Sequence, residues 1–116
     1  MSKQTIIDRS TFEGLKESVG ADFVKELLDT YFSETPQLLT KLKESLGKMD
    51  CDAFRMAAHS IKSTSNSFGA LELGLLAKEL EMMGREGKLT GAEGKVDELF
   101  ANYEVVKRSL SELING

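Results

Sequence analysis

Cysteine, proline and histidine each occur once in the 116 residues, and each scarcity excludes something. One cysteine, Cys51, permits no internal disulfide and no cysteine-rich metal centre. One histidine, His59, removes any chemistry that needs a second imidazole. The net charge is −4 with acids and bases interspersed, so no basic block is present to hold nucleic acid. No apolar run is long enough to span a bilayer, and the chain opens without an apolar signal segment. Strand-type alternation of useful length is missing, as are repeats and a phosphate-cradling glycine loop. Hydrophobic residues make up 41%, which is enough for a globular core. A soluble cytoplasmic protein forming one domain over 1–116 is expected, with 1–9 a loosely ordered terminus.

What is present is helical periodicity. Ser10 and Glu13 have the spacing of a capping box, followed by a short helix with Phe12, Leu15 and Val19 on one face and Gly20 at its end. From Asp22 onward, Val24, Leu27, Leu28, Tyr31, Leu38, Leu39, Leu42 and Leu46 form one stripe whose phase continues through Pro36. One long helix over about 22–47, bent at Pro36 and stopped by Gly47, fits this pattern. The alternative is two helices, with Thr35 as N-cap and Pro36 at the first helical position. Asp50 is a good N-cap for a third segment, in which Phe54, Ala58, Ile61, Ser65 and Phe68 share a buried side with Ala57 beside them.

Residues 70–86 place Leu73, Leu76, Ala77, Leu80 and Met83 on a core face. Leu71, Leu75 and Met82 lie opposite, either against the N-terminal helix or as part of a wide bundle face, or else as an apolar docking surface. Thr90 and Glu93 form a second capping-box pair ahead of a last helix over about 91–114. That helix carries Val96, Leu99, Phe100, Tyr103, Val106, Leu110 and Ile114 on one face. The expected fold is all-α: an antiparallel four-helix bundle with a short additional N-terminal helix.

His59 falls on the polar side of its helix, near Arg55, Ser63 and Asn66, with Lys62 closer to the boundary. Cys51 lies on a different part of that helix surface, so a nucleophile–base pair is not formed, and a metal site would need ligands facing the bundle interior. An exposed imidazole is mostly neutral near about pH 7 and keeps a nitrogen lone pair. It can accept a phosphoryl group from a high-energy donor without a local base, with Lys62 offsetting charge during transfer. On spacing alone, an ordinary surface histidine remains the commoner reading.

The segment His59-Ser60-Ile61-Lys62-Ser63-Thr64-Ser65, followed by Phe68-Gly69-Ala70, Leu73, Leu76-Ala77 and Leu80-Glu81, resembles the signature of histidine-containing phosphotransfer (HPt) domains. The order of helices is similar over nearly the whole chain. The resemblance implies that His59 carries the phosphoryl group, that Lys62 supports it electrostatically, and that the small residue Ser63 lets a partner approach. Family members often have glycine where this chain has Ser63, so the approach is slightly more crowded here. Gly69, which by residue type permits a tight turn or a close backbone approach after the third helix, is implied by the resemblance to serve close helix packing beside the site. The implied partners are response-regulator receiver domains and a hybrid sensor histidine kinase. Mg²⁺ is expected in the receiver, and no metal or other cofactor in this chain.

By the same resemblance the chain is a covalent carrier and not an ATP-dependent kinase, and a monomer is the default for a shuttle that must expose its site. Arg55, Met56, Ser63 and Asn66 are the candidate docking residues, with Leu71 and Leu75 as outlying ones. Neutralising Lys62 is expected to slow transfer and to leave stability almost unchanged. A helical module that sequesters receivers without accepting phosphate is a further possibility, as is a structural bundle with an incidental histidine.

Overall fold

The computed structural model describes residues 6–115, which contain α1 (Arg9–Val19), α2 (Ala21–Gly47), α3 (Cys51–Ser67), α4 (Leu71–Glu86) and α5 (Ala92–Asn115). Short turns reverse the chain between α2, α3, α4 and α5, which form a four-helix bundle. The short α1 packs on α2 and α3. No strand occurs among the described residues.

The predicted apolar stripes meet in one core. Leu28, Leu42, Phe54, Ala58, Ile61, Leu73, Leu80, Leu99 and Leu110 are completely shielded from solvent. Two polar groups inside that core satisfy each other, because the Tyr31 hydroxyl and Ser65 Oγ lie 2.8 Å apart and tie α2 to α3. The Tyr103 ring packs edge-on against Tyr31, and burial pushes its phenol up to about 12. α2 runs unbroken through Pro36, so the two-helix alternative does not apply.

Several helix ends differ from the sequence reading. α1 is capped by Asp8 and not Ser10: the Asp8 carboxylate accepts from the Thr11 amide at 3.1 Å and also from the Thr11 hydroxyl. The adjoining segment is docked rather than loose. Ile7 is buried, and the Asp8 amide donates to the Gly69 carbonyl at 2.8 Å; the rest of the expected loose terminus, 1–5, lies outside the described residues. Gly47 is the last residue of α2, not its stop. Lys48 is the C-cap, and the positive φ needed to leave the helix falls on Met49, at 55°. α5 begins at Ala92, with Gly91 at φ 83° between it and Thr90, so Thr90 and Glu93 do not take up the capping-box positions.

Gly69 makes the tight turn and close backbone approach that its residue type permits, and not the helix packing that the resemblance implies. At φ 88° it makes the turn after α3, and a Cβ there would stand 2.7 Å from the Asp8 carbonyl oxygen. It therefore holds the N-terminal segment close to the α3–α4 turn. The glycines that let two helices approach are Gly74 and Gly84 on α4. A Cβ on Gly84 would lie 3.0 Å from the Arg55 backbone nitrogen and from the Cys51 carbonyl oxygen, both on α3. The atoms nearest a Cβ on Gly74 would be those of the Asn66 side-chain amide.

Candidate functional site

The α3–α4 seam carries the site. Asp50 caps α3, its carboxylate accepting from the Ala53 amide at 3.1 Å, and burial of Phe54, Ala58 and Ile61 on the core side turns His59 outward. The His59 side chain is 57% exposed. Beneath it, on the facing side of α4, lies Glu81, whose side chain is only 4% exposed. Glu81 Oε2 is 2.8 Å from His59 Nδ1. Glu81 Oε1 is 2.7 Å from Lys62 Nζ, and Oε2 also accepts from Arg85 at 3.3 Å.

A buried carboxylate is tolerable only with such partners. Lys62 first, and His59 second, hold the Glu81 carboxyl below the usual carboxylate range, against the opposing push of burial. Glu81 is therefore an acceptor only, and the bond to it requires the proton on His59 Nδ1. In the neutral ring the other nitrogen, Nε2, then holds the lone pair. His59 consequently does have a local carboxylate, which the sequence reading did not assign to it. That carboxylate settles the tautomer.

The remaining candidates divide between the two sides of α3. Ser63 lines an open groove of about 480 Å³ between α2 and α3, together with His59, Ser60, Leu38 and Lys41. Leu38, Lys41 and Ser60 continue into a neighbouring hollow of about 380 Å³ that reaches Met56. Met56 itself is exposed. Arg55 lies on the α4 side and pairs with Asp52 at 2.8 Å. Asn66 is also on that side, over Gly74. Leu71, Leu75 and Met82 point to solvent, so they do not cover the N-terminal helix.

Sequence reasoning missed Glu81 as a site residue, along with Arg85 and Lys41. A signal for Glu81 exists. It stands one turn from Ala77 and next to Leu80 on the inward side of an amphipathic helix, where an acid must find a cation.

The family model for the Hpt domain matches residues 26–116. The chain belongs to the Hpt domain family. Among solved structures, this Hpt domain is similar to the crystal structure of histidine-containing phosphotransfer protein B from Pseudomonas aeruginosa. The TM-score is 0.90 at 27% sequence identity, over 97% of this chain and 97% of that one. No curated protein matches the sequence. The match thus covers α3 and α4 of this Hpt domain, the two helices that supply His59, Lys62 and Glu81. No helix among the described residues is long and apolar enough to cross a membrane.

Proposed function

We propose that this Hpt domain is a phosphorelay intermediate that accepts a phosphoryl group on His59 Nε2 from the phosphoaspartate of a receiver domain and passes it to another receiver aspartate. The observation that carries this reading is the bond between His59 Nδ1 and the buried Glu81 carboxylate, which leaves Nε2 as the nucleophilic nitrogen on an exposed ring. In the forward step the Nε2 lone pair forms an N–P bond, and the P–O bond to the aspartyl carboxylate breaks. The carboxylate leaves with the electron pair, and the ring becomes a phosphoimidazolium. Lys62, anchored on Glu81 one helical turn from His59, places a positive charge beside the transferring oxygens.

The receiver brings the acyl phosphate and the Mg²⁺ that shields it, so this chain acts as carrier and not as an ATP-dependent kinase. The open groove between α2 and α3, with Leu38 and Met56 as apolar contacts and Lys41 as a cation, is the surface beside His59 on which a receiver helix can rest. A cytoplasmic monomer suits such a shuttle.

The test is transfer of label from a panel of phosphorylated receivers to wild type and to His59→Gln. Label on wild type alone, stable to alkali and labile to acid, supports the relay. Receivers that bind both forms equally and label neither would make the chain a sequestering module instead.

A further inference from the structure

Loading a phosphoryl group on Nε2 changes what the Nδ1 proton does. In the free protein that proton fixes the tautomer. In the loaded protein it governs the stability of the N–P bond. When an acceptor oxygen attacks phosphorus, the N–P bond breaks and its electron pair returns to Nε2. With Nδ1 protonated, the departing group is a neutral imidazole. With Nδ1 deprotonated it is an imidazolate, a far poorer leaving group. Whichever residue controls the Nδ1 proton therefore controls how readily the phosphoryl group moves on.

We infer that Glu81 is the positioning residue that keeps the phosphorylated ring of His59 protonated at Nδ1, which primes the phosphoryl group for onward transfer rather than for storage. This inference rests on the reading of His59 as a phosphoryl carrier. Glu81 Oε2 is already 2.8 Å from Nδ1, so no rearrangement is needed. The carboxylate is almost wholly out of water, where a charge-assisted hydrogen bond is strong. Its own position is fixed by Lys62 on Oε1 and Arg85 on Oε2. The ionisable groups around the ring are Glu81 and Arg85 from α4, Lys62 and Arg55 from α3, and Glu34 and Lys41 across the groove on α2. Arg85, Lys62, Arg55 and Lys41 among these are cations. Once the phosphoryl group is on Nε2, its negative charge offsets them, and the direct bond to Glu81 decides where the ring proton stays.

The experiment loads wild type and Glu81→Gln with labelled phosphate from a small phosphoramidate donor, removes the donor, and follows loss of label at neutral pH. Glutamine keeps an acceptor oxygen and the side-chain length but removes the charge. The label on Glu81→Gln is expected to outlive that on wild type several-fold, because a smaller fraction of its loaded rings carries the Nδ1 proton at neutral pH. Equal lifetimes, or a shorter one in the variant, overturn the inference. A second measurement uses unmutated protein: because the chain holds one histidine, nitrogen-15 spectra of the loaded protein show a single imidazole. Nδ1 is expected to keep its proton at a pH where a phosphohistidine peptide has lost it, and deprotonation in step with the peptide overturns the inference. Loading from the small donor but from no receiver would sink the relay reading while leaving the lifetime comparison decisive. Failure of wild type to load from either donor overturns both.

Discussion

At the scale of single residues, Glu81 joins the elements of the site. His59 and Lys62 are three positions apart on α3, yet what makes them a unit is one carboxylate on another helix. Lys62 is therefore not a dispensable surface charge, contrary to the expectation that neutralising it leaves stability almost unchanged. Its side chain is only 26% exposed and its ammonium is the closest partner of a buried anion. Lys62→Met is expected to destabilise the fold by about 1.5–3 kcal/mol, the range for hydrogen bonds to charged groups. The same substitution should slow phosphoryl transfer by about tenfold or more. Chemical denaturation alongside a transfer time course measures both effects. A variant that transfers slowly at full stability would return Lys62 to a purely surface role. His59 and Lys62 were legible in the sequence because exposure and spacing on one helix are local properties. Glu81 was not assigned to them because a pair 22 residues apart depends on how two helices meet.

At the scale of elements, α3 and α4 come close enough for that pair because α4 lacks side chains where α3 crosses it. The two glycines differ in what faces them. An added methyl at Gly84 would press on α3 backbone atoms, which cannot move without moving the helix. Gly84→Ala is therefore expected to destabilise the protein by about 1–3 kcal/mol through overpacking. It should also loosen the His59–Glu81 bond. At Gly74 the obstacle is the end of the Asn66 side chain, which can rotate away. Gly74→Ala should stay within about 1 kcal/mol of wild type, helped by the better helix propensity of alanine. Equilibrium unfolding of the two variants side by side checks the contrast, and equal losses would contradict it.

The helices themselves were legible, since apolar periodicity is strong in each of α2, α3, α4 and α5 and continues through Pro36. Their ends were less so. Asp8 competes with Ser10 for the same cap, and the reversal after Gly47 is made two residues later by Met49. Gly69 shows the limit of reading a glycine from sequence. Its need for positive φ was foreseeable, but the chain segment it lies against was not.

At the scale of the whole molecule, the bundle is a packed frame that presents one imidazole. Its core is continuous from α1 to α5, while the groove beside His59 stays open between α2 and α3. The architecture was legible because wide apolar stripes and short connections leave an all-α chain of this length few other packings. The face a partner uses was less so: the candidate docking residues divide between that groove and the α4 seam, and only the assembled bundle separates them. The central claim is that this frame directs chemistry to a single atom. The measurement that tests it most directly is to phosphorylate the protein with a receiver and locate the phosphoryl group by mass spectrometry and nitrogen-15 NMR. One phosphoryl group on Nε2 of His59, with the proton on Nδ1, is the predicted result. A phosphoryl group on Nδ1, or on any other side chain, would contradict it.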